Sequence, residues 1–250
     1  LAAGKGTRMN TNLPKVMQLL GGKSLIEHVI NTAQEISNKV TVVVGHQKDF
    51  LKEHLAEIDP NIVTVNQENQ HGTAHAVKTA SHLIQDDEKV LILYGDVPLI
   101  SNNTIQSLLN SENKCTLLSM TLSDPTGYGR VLFNEENLAL KIIEQKDASE
   151  DERKIKEVFT GILLIDGDLL KPTLEEINNQ NVANEYYLTD LVEILSAKGV
   201  KINCIRANPL EVLGANNKHE LQELESILRK MSAEKLLDQG VTLLDKTRID

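Results

Sequence analysis

Val40-Thr41-Val42-Val43-Val44-Gly45-His46 is a nearly unbroken β-branched run closed by a glycine. β-Branched side chains are stiff at χ1 and favour an extended backbone. A continuous apolar run, without polar alternation, is the pattern of a strand covered on both faces. The pattern returns at residues 62–65 and 90–94, each followed by turn-forming residues. Between these runs, residues 24–37, 48–58 and 72–84 repeat apolar positions at helical spacing. Strand–helix–strand alternation predicts an α/β chain with parallel strands and helices on both faces, a Rossmann-like arrangement. Ligands of such sheets gather at the carboxyl ends of the strands. Those ends are residues 4–8, 45–46, 67–73 and 95–96, so side chains distant in sequence are expected to converge there.

The second half changes character. Residues 115–122, 131–133, 140–143 and 161–165 read as strands with shorter connections, a mixed extension of the mostly parallel sheet. Residues 218–239 place Leu221, Leu224, Leu228 and Met231 on one face of a long helix. The expected organisation is one large domain over residues 1–217, with residues 218–250 forming a C-terminal helix and the start of a linker. Only Leu1-Ala2-Ala3 precedes the first loop, whereas such a loop should hang from a strand of about 5–6 residues. Val241-Thr242-Leu243-Leu244 begins a fresh apolar run. Both ends are those expected of a piece cut from a longer polypeptide.

Composition narrows the classes of partner. The formal net charge of the 250 residues is −10, which disfavours nucleic acid or an anionic membrane as the main partner. Cys115 and Cys204 sit in apolar runs, the setting of buried free thiols in a reducing compartment. No apolar run approaches the ~20 residues of a membrane span, and no signal peptide is visible. A cytoplasmic protein is expected.

In so acidic a chain, a local cluster of cations stands out. Leu1-Ala2-Ala3-Gly4-Lys5-Gly6-Thr7-Arg8-Met9, followed by Leu13-Pro14-Lys15, is such a cluster on a glycine-rich loop. Small residues let backbone N–H groups form a concave anion nest, and Arg8 and Lys15 add charge beside it. The dinucleotide fingerprint fails where Met9 replaces the third glycine, and no Gly-Lys-Ser/Thr run completes a Walker loop. A plain strand-to-helix turn does not call for Lys5, Arg8 and Lys15 together. A triphosphate site is therefore expected.

Other candidates fall at the remaining strand ends. Asp96, in Tyr94-Gly95-Asp96-Val97-Pro98, is placed to hold Mg²⁺, which takes one or two protein oxygens and fills its shell with phosphate and water. A turn aspartate is the plainer reading. Gln67, Gln70, Gly72 and Thr73 lie on a polar loop whose amides could read a pyrimidine edge or simply precede a helix. His71 and His75 stand four apart but lack a third ligand, so they read as solvated or core histidines. Residues 124–130 form a turn, residues 144–147 a strand exit. Thr189 or Asp190 could cap one helix, and Asn216-Asn217 could cap the long one.

Together these segments resemble the N-terminal uridylyltransferase domain of bacterial N-acetylglucosamine-1-phosphate uridyltransferases, which have a nucleotidyltransferase fold. The resemblance covers the whole chain. It is most specific at residues 94–98, 124–130, 185–190 and 214–217. It implies transfer of uridylyl from UTP to N-acetylglucosamine 1-phosphate with Mg²⁺, in the synthesis of cell-envelope precursors. Leu1, Ala2, Ala3, Gly4, Arg8 and Lys15 would hold the triphosphate, and Arg8 and Lys15 would carry the catalytic charge. Gln67, Gln70, Gly72 and Thr73 would hold uracil, and Asp96 and Asn216 the metal. Gly129, Glu144, Tyr187 and Thr189, with Tyr94, Gly95 and Asn216, would line the sugar-phosphate pocket. The family's left-handed β-helix half, an acetyltransferase that forms a homotrimer, has no counterpart among these residues. Phe159-Thr160-Gly161 stands where the family usually shows Asn-Thr-Gly, its Asn contacting the sugar, and His71 and Ala74 also depart from a common pattern.

Overall fold

A computed structural model describes residues 1–4, 6, 9, 11, 13–246 and 248. Its opening residues lie between two strands rather than beside one. Ala2 N donates to Val43 O at 2.9 Å, His46 N to Ala3 O at 3.2 Å and Gly95 N to Leu1 O at 2.9 Å. The loop that follows Ala3 therefore starts at the carboxyl ends of both neighbouring strands.

After a 3-10 turn at Lys15–Met17, strands β1 (Leu19–Leu20) and β2 (Lys23–Ser24) form a small hairpin. Gly21 and Gly22 turn it at φ +55° and +82°, values open to glycine and strained for other residues. Then come α1 (Leu25–Gln34), β3 (Thr41–Val44), α2 (Lys48–Ile58), β4 (Val63–Asn66), α3 (Thr73–Ala80) and β5 (Lys89–Ile92). Ser24 caps α1 by accepting from Glu27 N. β3 and β4 pair in parallel, and Ala2 makes a parallel bridge to Val44. Val42 and Val44 pack with Ile26 and Ile30 of α1 and Leu51 and Leu55 of α2, while Val43 turns to Ala76 of α3. Both faces of β3 are thus covered, as its sequence requires. β4 departs from the reading: Val63 is 46% exposed, because this strand pairs only with β3 and forms an edge.

The second half comprises α4 (Asn102–Leu109), β6 (Cys115–Thr121), β7 (Arg130–Phe133), β8 (Ala139–Ile143), β9 (Glu157–Asp166), α5 (Gly167–Glu176), α6 (Asp190–Ala197), β10 (Ile202–Arg206), α7 (Pro209–Val212) and α8 (Lys218–Asp238). The sheet is mixed, with helices on both faces. On β9, Leu163 and Ile165 face Leu170, Leu174 and Leu191 of α5 and α6, whereas Ile162 and Leu164 face Ile105 and Leu108 of α4. The balance within the sheet differs from the expected mostly parallel one. β10 runs parallel to β6, but β9 runs antiparallel to β5, β6 and β7, and β7 antiparallel to β8. Between β7 and β8 the cause is connection length: the short link at 134–138 can join only antiparallel neighbours.

Leu221, Leu224, Ile227 and Leu228 of α8 pack against Met9, Leu20, Leu25, Leu99 and Ala215. Met231, on the expected apolar stripe, is instead 38% exposed. Cys115 is buried and Cys204 partly so, both as free thiols, and burial pushes them up to about 12 and about 11. No helix among the described residues is long and apolar enough to cross a membrane.

Candidate active site

At the carboxyl end of the sheet, three residues from distant parts of the chain meet at one atom. Lys15 Nζ donates to Asp96 Oδ2 in a close ion pair and to Asn216 Oδ1 at 3.1 Å. The Lys15 and Asp96 side chains are 17% and 16% exposed, so the pair is only partly screened by water. Gly95 N, tied to Leu1 O, fixes the turn that carries Asp96. Ala215 N donates to Asp96 O at 3.1 Å, which draws Asn216 alongside. Gly6 adopts φ +57°, and a Cβ there would stand 2.5 Å from Lys15 Cβ. Glycine at that position lets Lys15 run against the opening loop. Gly4 has open space around its would-be side chain, so its backbone is accessible to a ligand. Arg8, the other expected phosphate ligand, lies outside the described residues.

The polar loop after β4 closes on itself and on the segment before α6. Gln67 is 4% exposed, and its Nε2 donates to Gly72 O and to His75 Nδ1, both at 3.0 Å. The Gln67 amide hydrogens are thus spent inside the protein. His75 is held below its ordinary pKa by burial, then by the neighbouring His71 and Lys78 charges, which suits a neutral ring accepting at Nδ1. Its ring meets His71 edge-on at 5.3 Å, a packing contact rather than a metal site. Gly72 has φ +111°, and a Cβ on it would fall 2.4 Å from Tyr186 O. Around that contact Tyr186 N donates to His71 O, Ala74 N to Tyr186 O, and Leu188 N to Thr73 Oγ1 at 2.9 Å. Gln70 is half-buried on the same loop.

The third group lies beyond that seam. Thr189 Oγ1 donates to Glu144 Oε1 at 2.9 Å. Thr189 is the N-cap residue of α6 but its side chain caps nothing; the hydroxyl is turned to Glu144 instead. Gly129 packs against the same carboxylate: a Cβ there would lie 2.8 Å from Ile142 Cγ2 and 3.6 Å from Glu144 Oε1. Gly161, at φ +89°, lies against the Tyr94 ring, where a Cβ would come within 2.8 Å. Phe159 N donates to Gly129 O, and its buried side chain joins Val131, Ile142 and Leu188 in the core. Arg130, 1% exposed, clamps the carbonyls of Tyr128 and Arg153 and so holds the 124–130 turn.

This end of the site is acidic. Burial raises the Glu144 carboxyl, and the Asp147 and Glu185 charges raise it further against the Thr189 bond. Burial also raises Asp190, to about 6, with Glu144 and Glu193 adding to it. Tyr94 and Tyr187 keep their phenol protons for the same reason, burial first and neighbouring carboxylates second. Glu144, Asp147, Tyr187, Asp190 and Glu193 line a cavity of about 530 Å³.

The opening loop with its cation–carboxylate–amide cluster, the loop after β4 and the carboxylate–hydroxyl pair make three groups, the last two joined at the Gly72–Tyr186 seam. Residues 1–161 match the model of the MobA-like NTP transferase domain. The chain belongs to the MobA-like NTP transferase domain family. Over its whole length this NTP transferase domain is 44% identical to the bifunctional protein GlmU of Idiomarina loihiensis and, equally, to that of Hydrogenovibrio crunogenus. It spans 55% and 56% of the lengths of those relatives. A structure of UDP-glucose pyrophosphorylase complexed with UDP-glucose shares the fold, with a TM-score of 0.73 at 18% identity over 92% of this chain and 97% of that one. The family likeness drawn from the motifs holds.

Within this NTP transferase domain the candidates read from sequence fall into the three groups described. Leu1–Gly4, Lys15, Gly95, Asp96 and Asn216 form the first, Gln67, Gln70, Gly72 and Thr73 the second, and Tyr94, Gly129, Glu144, Tyr187 and Thr189 the third. Gly161 and Arg130 lay in quoted motifs with no role assigned to them, and Glu220 escaped the sequence reading. Glycine at 161 had a signal, since it interrupts a ten-residue apolar strand. Asn217 does cap α8, accepting from His219 N and Glu220 N, and Asn216 turns to the cation cluster.

Proposed function

We propose that this domain transfers the uridylyl group of UTP to N-acetylglucosamine 1-phosphate and releases diphosphate. The observation that carries the reading is the meeting of Lys15, Asp96 and Asn216 beside the opening loop. The likeness to the GlmU proteins supports the choice of substrates. The acceptor phosphate, with a second pKa of about 6, is already anionic at neutral pH and needs no general base. Its oxygen attacks the α-phosphorus, a P–O bond forms, the bond to the β-phosphate oxygen breaks, and the electron pair leaves with diphosphate. The protein's task is to align the two ends and to balance charge. Lys15, with Arg8, balances the charge that grows on the leaving group. The loop at 67–73 seats uracil, with Gln67 bracing the loop from within. Glu144, Thr189 and Tyr187 grip sugar hydroxyls beyond the Gly72–Tyr186 seam.

Mg²⁺ fits the first group. Asp96 Oδ2 and Asn216 Oδ1 are hard oxygen donors aimed at one cationic atom, Lys15 Nζ, and Mg²⁺ accepts two such ligands when phosphate supplies others. Bound there, it would neutralise triphosphate oxygens. No group of three or more acidic, histidine or cysteine side chains suited to a metal exists among the described residues, so a tight all-protein cage is not the design. The reading extends to small-molecule partners alone and a cytoplasmic setting. It extends also to a parent that carries an acetyltransferase half and assembles as a homotrimer through it.

The test is diphosphate release from UTP and N-acetylglucosamine 1-phosphate, dependent on Mg²⁺ and lost by ~10²–10³-fold in Asp96→Ala, the scale of one preorganised charge contact. Near-normal rates in that variant would remove Asp96 from the site. Phe159, its side chain turned into the core, offers no sugar hydroxyl a hydrogen bond, which favours a broader acceptor range. Glucose 1-phosphate as acceptor in the same assay reads that range.

A further inference from the structure

Asn216 meets the Lys15–Asp96 pair with its oxygen, the end that Lys15 Nζ, a donor alone, requires, and a second determinant of that orientation lies one helical turn away. Glu220 Oε2 accepts from Asn216 N at 2.7 Å and from Asn216 Nδ2 at 3.1 Å. The two ends of a primary amide are alike in shape, so hydrogen bonding alone decides which way it points. A carboxylate can only accept. The end of the Asn216 amide that faces Glu220 must therefore be its nitrogen, and the oxygen is turned toward Lys15 Nζ. Glu220 is itself held: Asn217 Oδ1 accepts from Glu220 N at 3.0 Å, and Asn217 Nδ2 donates to Glu220 Oε1 at 2.5 Å. The capped start of α8 thus forms a mount for one carboxylate.

We infer that Glu220 is a positioning residue for the metal, acting through Asn216 by presenting the amide oxygen rather than its N–H groups to a divalent cation. This rests on the proposal that Asp96 and Asn216 hold Mg²⁺. Without Glu220 the amide is oriented by the cation alone and its oxygen is no longer held in place before the cation arrives. Partners that orient a ligand in this way commonly change metal affinity as much as some ligands do.

Calorimetric binding of UTP in Mg²⁺ and in EDTA tests the inference without turnover. Glu220→Leu is expected to lower the Mg²⁺-dependent affinity by about 10-fold and to leave binding in EDTA unchanged. Glu220→Gln should retain most of that affinity, since its Oε1 can still accept both Asn216 bonds. An aspartate at 216 would have an oxygen at either end and need no orientation. In the Asn216→Asp background, Glu220→Leu should therefore cost nothing in Mg²⁺-dependent affinity. His219→Gly loosens the exposed first turn of α8 and removes no bond of Asn216 or of the Glu220 carboxylate; an equal loss there would show a general effect of the helix start and overturn the inference. A loss on Asn216→Ala with none on Glu220→Leu would also overturn it. No loss on Asn216→Ala would instead sink the metal reading beneath it. If Glu220→Leu does not fold, equal losses for Glu220→Gln and Asn216→Ala would overturn the inference as well.

Discussion

Single side chains in this site carry more than one demand. Thr189 could have capped α6, yet its hydroxyl serves Glu144. Asp190 beside it is a half-buried carboxylate that desolvation, Glu144, Glu193 and Asp147 raise and Lys141 opposes, and it is pushed up to about 6. Raised above its ordinary 3.8, it makes a contribution to stability that is full below the unfolded value and lost as pH climbs through about 6. Asp190→Asn, which removes the charge, should gain stability over the parent progressively as pH rises from about 4 to about 6 and hold that gain unchanged above about pH 7. Thermal unfolding of both proteins across that range checks it. A constant difference, or a gain confined to the acid side, would show that the charge at 190 is not disfavoured.

At the scale of elements, the seam between residues 71–74 and 186–188 joins the base loop to the sugar pocket. Its central bond runs from Leu188 N, on a fully buried residue, to Thr73 Oγ1. Thr73→Val keeps the shape and strands that N–H, a cost of about 1–3 kcal/mol. Urea unfolding should show the loss, and KM should rise for both substrates because the seam serves both. Unchanged stability would mean that the bond contributes nothing net. None of this seam was legible in the sequence, where Gly72-Thr73 and Tyr186–Leu188 are separate polar-edged segments. What was legible was local: the β-branched run of β3, the apolar spacing of α2, and the Asn217 cap. The antiparallel course of β9 was hidden, since a run of apolar residues says that a strand is covered and not which way its neighbours run. The orientation of the Asn216 amide was hidden for the same reason; Lys15 and Asn216 are 201 positions apart, and only the fold brings them together.

Across the whole molecule, the first strand-ended loop, the Asp96 turn and the start of α8 supply one charged cluster. β8 and the approach to α6 line the cavity beyond it, with Gly129 of the 124–130 turn packed against Glu144. That division matches a reaction with a triphosphate on one side and a phosphorylated sugar on the other. In the proposed reaction the α-phosphorus passes from the triphosphate to the sugar phosphate while the β- and γ-phosphates leave together as diphosphate. The most direct measurement follows the phosphorus atoms themselves, using UTP labelled separately at the α and γ positions with N-acetylglucosamine 1-phosphate and Mg²⁺. Uridylyl transfer requires α label in the sugar nucleotide and γ label in diphosphate. Release of γ label as orthophosphate, or retention of α label in a free nucleotide, would contradict it.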